Sequence, residues 1–185
     1  MKRLTEPLDR KKPAIIFACS MGEFFDDGLS AAYRCSVMQV MKEAYWHQFM
    51  ILTKQAGRVQ DFVHYYGPIP ENVWIGVSVD GGGRSSEGIG TLKFADVPHH
   101  ILCAEPLLQP YVADLTGYEW LIIGGVTDRR GKSKGLDKGD VDILRRCAEK
   151  TSTPVFVKDN AKYPEKIQEW PVAMLKVIET RTKAL

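Results

Sequence analysis

Six short apolar runs recur along the chain: AIIFAC from Ala14 to Cys19, FMILT from Phe49 to Thr53, VWIGVSV from Val73 to Val79, ILCA from Ile101 to Ala104, WLII from Trp120 to Ile123 and VFV from Val155 to Val157. Each is too short for a helix and nearly continuous in apolarity, the pattern of a strand buried on both faces. Helical spacing lies between them. From Ser30 to Tyr45, residues Tyr33, Val37, Met41 and Tyr45 fall on one stripe with Ser30 placed to cap the first turn. From Asp137 to Lys150, Asp137 is a cap candidate, Val141, Leu144 and Ala148 point inward, and Lys150 sits near the negative helix end. Alternating strands and helices imply a parallel sheet with right-handed crossovers, either closing as a barrel or staying open. In both architectures the loops after the strands form the ligand site.

Other segments read less regularly. Gly88 and Gly90 weaken the helix expected after Val79, each by roughly 1 kcal/mol relative to alanine, so that helix is expected to be short or frayed. Residues 1–13 read as an N-terminal extension, and 160–185 as an irregular tail carrying Pro164 and Pro171, with a short helix through Val172, Leu175 and Ile178. A length of 185 residues suits one domain, 1–185, and 44% apolar with 26% charged residues is an ordinary globular composition. The net charge of +2 gives no footprint for nucleic acid, and the cluster Arg129, Arg130, Lys132 and Lys134 reads as a solvated loop. No run of about 18 apolar residues could span a bilayer and no apolar signal core follows the basic start, so the cytoplasm is the expected address.

The strand ends are rich in polar residues. Ser20, Met21, Gly22 and Glu23 follow the first strand, Thr53 and Lys54 the second, Ser78 and Asp80 the third, Glu105 the fourth, Gly124 and Gly125 the fifth, and Lys158 and Asp159 the sixth. Convergence of such a set is what a polar-ligand site requires. Glu105 and Glu23 could fix an amine, while Lys54 and Lys158 could hold a carboxylate or act as nucleophiles if desolvated. The loop from Asp80 to Ser86 lacks a dinucleotide fingerprint and reads as a flexible glycine turn. Cys19 and Cys103 read as thiols packed within strands, and His99-His100 have no partners at metal-ligand spacing.

Taken in order, SMGEFFDD, FMILTK, NVWIGVSVD, ILCAEPLL, EWLIIGG and TPVFVKDN resemble the radical S-adenosylmethionine-like family of phage and bacterial proteins named for a three-cysteine motif, over roughly residues 13 to 171. The resemblance implies a partial (β/α) TIM-like barrel of about six strand–helix units. It also implies S-adenosylmethionine across the strand tops, beside a [4Fe–4S] cluster held by three cysteines. Ser20 to Glu23 would lie near the methionine amino group and Ser78 and Asp80 near the ribose. Gly124 and Gly125 complete the cofactor-binding set, and Lys54, Glu105 and Lys158 are the catalytic candidates. The cysteine loop is absent here: Cys19, Cys35, Cys103 and Cys147 lack the clustering that a cluster needs. Val126 also stands where relatives commonly carry an acid.

The expected function is therefore the body of a radical S-adenosylmethionine-like enzyme. Its cluster-bearing unit is expected from another polypeptide, or has been lost by truncation. A cluster-free S-adenosylmethionine- or nucleotide-binding protein is the alternative from a different class, and a Schiff-base lyase using Lys158 or Lys54 is a third reading. An incomplete barrel leaves the edge of the first strand unpaired, which predicts a partner or self-association there.

Overall fold

The computed structural model describes residues 3–128 and 130–183, with the side chains of 83–87 and 181 left aside. Arg129 of the basic cluster thus lies outside the described residues. Six strands, β1 (Ile15–Ala18), β2 (Gln48–Thr53), β3 (Val73–Val79), β4 (His99–Ala104), β5 (Trp120–Ile123) and β6 (Val155–Val157), pair in sequence order. Every pairing is parallel. The sheet curls into a half-barrel with interleaved helices, an α/β partial barrel.

Helices α2 (Ala31–Glu43), α3 (Gly57–Tyr66), α4 (Gly83–Lys93) and α5 (Lys138–Thr151) follow β1, β2, β3 and β5. A single turn, α1 (Glu6–Asp9), precedes β1, and α6 (Val172–Lys183) ends the chain. Ser30 caps α2 by accepting from Tyr33 N, and Asp137 caps α5 by accepting from Gly139 N. The buried stripe of α2 runs through Met38 and Met41, whereas Tyr33 and Tyr45 are exposed. Helix α4 is a full 11 residues, neither short nor frayed, because Ile89 and Leu92 are buried on it. Gly88 serves close packing there: a Cβ would lie 3.1 Å from Val77 Cγ2.

The strand–helix alternation breaks once. Between β4 and β5 the chain runs without a helix although Leu107, Tyr111, Leu115 and Tyr118 are buried at helical spacing, because Pro106 and Pro110 remove donors and Gly117 turns at φ +86°. The tail is also more ordered than expected. Ile167–Glu169 lie antiparallel along β6, with Val157 N donating to Ile167 O at 2.8 Å and Glu169 N to Val155 O at 2.9 Å. Glu169 also accepts from Val155 N at 2.8 Å. Thus the β6 edge is covered, and α6 is a three-turn helix rather than a short one. No strand lies beyond β1 among the described residues.

Two cores result from the strict alternation of strand side chains. On the convex side Phe49, Ile51, Ile75, Val77, Leu102, Leu121 and Ile123 pack beneath the helices. On the concave side Met50, Trp74, Ile101, Cys103, Trp120 and Ile122 pack with Met174 of α6. Because these bulky residues lie in the lower and middle parts of β2 to β5, they fill the concave face there and leave its C-terminal end open.

His47 and His100 tie loops to this frame as neutral rings. Ala14 N donates to His47 Nδ1 at 3.0 Å, so Nε2 carries the proton toward Pro7 O, and His100 Nε2 faces Leu92 O and Ala95 O. Burial holds both below the ordinary value of 6.5. In the window below 6.5 the unfolded chain binds more protons than the folded one. Their contribution is therefore complete above about pH 6.5 and lost as the pH falls through the depressed folded values. Thermal melts at about pH 7.5 and 5.5 should show a lower midpoint in acid, with a smaller drop in His100→Gln, which keeps a donor without the titration.

Candidate active site

Continuing the alternation of the concave face one step beyond its apolar residues generates the site. Leu52 leads to Lys54, Cys103 to Glu105, Ile122 to Gly124 and Phe156 to Lys158, while Trp74 and Gly76 lead to Ser78 and then Asp80. A cavity of about 360 Å³ opens there, lined by Lys54, Ser78, Asp80, Glu105, Pro106 and Leu108 among others. Its size falls in the range of small-molecule sites. A larger cleft of about 550 Å³ lies at the other end of the sheet, beside the C-terminus of α5 and residues 167–172. It is far from the strand tops, and its Glu169 is already engaged by the β6 backbone.

Glu105 is held from two sides at the strand tops. Lys158 Nζ donates to both its oxygens, at 2.6 and 2.8 Å, and Asn160 Nδ2 donates to Oε1 at 3.1 Å. Asn160 also clasps the backbone after β5, with Nδ2 donating to Gly125 O at 2.9 Å and Oδ1 accepting from Gly125 N at 3.1 Å. Asn160 escapes the choice of strand-end residues because it lies beyond β6, in a 3-10 turn over Asp159–Ala161 that turns its side chain back toward Glu105. Lys54 enters the cavity from the other side and forms no ion pair among the described residues.

Gly124 and Gly125 sit where a side chain would collide. A Cβ on Gly124 would lie 2.7 Å from Glu105 Cδ, and one on Gly125 would lie 2.8 Å from Asn160 O. Their backbone groups are used within the fold: Gly124 N donates to Ala104 O, and Leu107 N to Gly124 O. These glycines make room for the Glu105–Lys158–Asn160 network.

The residues after β1 are placed differently. Ser20, Met21 and Gly22 form an exposed turn in which Gly22 N donates to Cys19 O, Met21 is 98% exposed, and none of the three lines the cavity. Glu23 accepts from Thr53 Oγ1 at 2.7 Å, Lys54 N at 3.0 Å and Phe25 N at 3.1 Å, so it clamps this turn onto the end of β2. Phe24 and Phe25 behind it are buried against Phe62.

The Asp80 loop is fastened rather than flexible. Asp80 Oδ1 accepts from Gly82 N at 2.8 Å, Leu108 N donates to Asp80 O, and Gln109 Nε2 donates to Gly81 O at 2.8 Å. Gly81 adopts φ +89° with Gln109 O packed where a Cβ would stand, which is why glycine occupies it. The side chains of Arg84, Ser85 and Ser86 lie outside the described ones.

Cys103 is buried beneath the cavity. Burial first, then the charge of Glu105, push its thiol up to about 12. Cys19 is not packed within a strand: β1 ends at Ala18 and Cys19 takes φ +56° in the exposed turn. His99 stacks on Trp74 with centroids 4.0 Å apart and pairs with Glu119 at 3.0 Å. Among the described residues no group of three His, Cys, Asp or Glu could hold a metal ion. The donor set of this chain therefore does not fit a [4Fe–4S] cluster, which needs gathered thiolates.

No helix of the described residues is long and apolar enough to cross a membrane. No curated protein and no solved structure matches the chain. Comparison with protein families matches residues 1–183 to the family described as "Protein of unknown function (DUF5131)", and the chain belongs to that family.

Proposed function

We propose that this chain is the body of a radical S-adenosylmethionine-like enzyme and binds S-adenosylmethionine in the strand-top cavity. The observation that carries this reading is the meeting of Lys54, Ser78, Asp80 and Glu105 around one cavity, with Lys158 held beside it. A zwitterionic amino acid joined to a nucleoside suits this mixture: Lys54 faces a carboxylate, Glu105 an ammonium, and Ser78 with Asp80 the ribose hydroxyls. When bound, a [4Fe–4S] cluster would supply the electron for radical chemistry. The cysteines of this chain do not hold one, so it would come from another polypeptide, for which the free edge of β1 is the natural attachment.

Calorimetry with S-adenosylmethionine should show saturable binding. Lys54→Met should weaken it roughly 10- to 150-fold, the value of one hydrogen bond to a charged group at about 1.5–3 kcal/mol. Absence of heat at millimolar cofactor would remove this reading. Anaerobic iron–sulfur reconstitution of the isolated chain should give no cluster absorbance. A cofactor-binding protein without radical chemistry is the second reading, favoured by the scattered cysteines. Activity that appears only on mixing with a cluster-bearing partner separates the two. The lyase reading has little support: Lys54 is exposed, and Lys158 is 43% exposed and engaged by Glu105, whereas an activated lysine needs desolvation.

A further inference from the structure

Beyond β5 the chain forms a small hairpin closed by an antiparallel bridge between Thr127 and Ser133. Asp128 builds its tip: Oδ1 accepts from Arg130 N at 2.9 Å and from Lys132 N at 2.8 Å, and Gly131 turns at φ +78°. The base is fastened to the end of β6, with Asn160 Nδ2 donating to Thr127 Oγ1 at 3.3 Å and Ser133 Oγ donating to Asn160 O. Gly135 packs against the Lys162 side chain. One residue, Asn160, thus joins the hairpin to Glu105 beside the cavity.

Arg130, Lys132, Lys134 and Lys162 are exposed on this hairpin and beside it. None of the four forms an ion pair among the described residues. The hairpin's one acid, Asp128, is turned to the backbone amides of the tip. Holding cations together on a fixed turn costs repulsion, which a bound polyanion relieves. The chain's net charge of +2 averages this patch away.

We infer that the hairpin and Lys162 are a phosphate-contacting rim that brings a single-stranded nucleic acid to the strand-top site. The delivery role rests on the proposed reading of that site; the binding itself does not. Nucleic acid is favoured over an acidic protein because the hairpin offers no aromatic or methionine anchor. Protein interfaces enrich such anchors and deplete lysine, whereas Lys and Arg are the usual phosphate contacts. A single strand is favoured because a base can reach a recessed cavity only when it is unpaired.

Fluorescence anisotropy with a labelled single-stranded DNA of about 20 nucleotides and mixed sequence, between about 50 and 300 mM salt, tests this. The variant R130S/K132S/K134S should bind at least about tenfold more weakly at low salt. Its slope of log affinity against log salt should be shallower by about 2, the share of three phosphate contacts on a single strand. The charge-preserving R130K/K132R/K134R should bind like the wild type. Equal binding by the wild type and the serine variant, or no binding by the wild type at low salt, would overturn the inference. So would a poly-glutamate peptide that binds as tightly as the DNA, which would mark a surface for acidic proteins. S-adenosylmethionine calorimetry on the serine variant should match the wild type. If the cofactor binds neither protein while the DNA results hold, the cofactor reading falls and the nucleic-acid rim stands.

Discussion

Trp74→Ala is expected to destabilise the protein by about 3–5 kcal/mol from lost burial and the cavity left behind, as for other aromatic truncations in cores. Trp74 is fully buried on the concave face between Met50, Ile101 and Met174, with the His99 ring stacked on it at 4.0 Å. Its Nε1 donates to Gln48 Oε1 at 2.7 Å, and Gln48 is itself buried, so the variant also orphans an acceptor at roughly 1–3 kcal/mol. Against a total stability of about 5–15 kcal/mol, this takes the protein close to unfolding. Urea denaturation reads the change directly, and Trp74→Phe should recover most of the packing while keeping the loss at Gln48. A change below about 1 kcal/mol in Trp74→Ala would mean that the lower concave face is not a packed core. The confinement of the ligand site to the strand tops would then lose its basis.

That confinement follows from side-chain parity, which also sets what the sequence makes legible. Parallel strands buried on both faces announce themselves by continuous apolarity, so VWIGVSV and WLII match β3 and β5 residue for residue. The same continuity hides which residues face the concave side, because Ile occurs on both faces, as Ile75 and Ile101 show. Parity becomes visible only where the runs turn polar, at Lys54, Glu105 and Lys158. Helices with a side-chain cap and a strong stripe, such as α5, are equally legible. Helix α3 is less so: its N-cap position is Ala56, which offers no acceptor, although Val59, Phe62, Val63 and Tyr66 fall on one helical stripe. The β4–β5 connection misleads in the other direction: Leu107, Tyr111, Leu115 and Tyr118 keep a helical period, and only Pro106 and Pro110 argue against a helix there. Glu23 shows the other limit. An acid after a strand looks like a ligand group, and its three donors come from positions up to 31 residues away in sequence, which no local pattern reveals.

Gly124→Ala should weaken S-adenosylmethionine binding by at least about tenfold, although it removes no charge and no hydrogen-bonding group. The added methyl would lie 2.7 Å from Glu105 Cδ and Oε1, closer than carbon and oxygen can sit, so the carboxylate must move. A free glutamate would swing away at little cost. Glu105 is not free: Lys158 holds both oxygens and Asn160 holds one, so displacement disrupts hydrogen bonds to a charged group worth about 1.5–3 kcal/mol each. The contrast with Gly76→Ala separates position from fold. There the new Cβ would collide with Leu52 Cδ2 and meet the Ile101 stem at 2.9 Å, in the packed sheet, and the cost of about 1–3 kcal/mol falls on stability. Calorimetric titration beside a urea melt distinguishes the two. Gly124→Ala should lose affinity together with some stability as the Glu105 network is disturbed, Gly76→Ala should lose stability while its folded fraction keeps wild-type affinity, and Glu105→Gln, which keeps the shape and removes the charge, should lose affinity comparably to Gly124→Ala. If Gly124→Ala instead binds like the wild type, Glu105 does not touch the ligand and its pair with Lys158 serves only to join β4 to β6 across the strand tops.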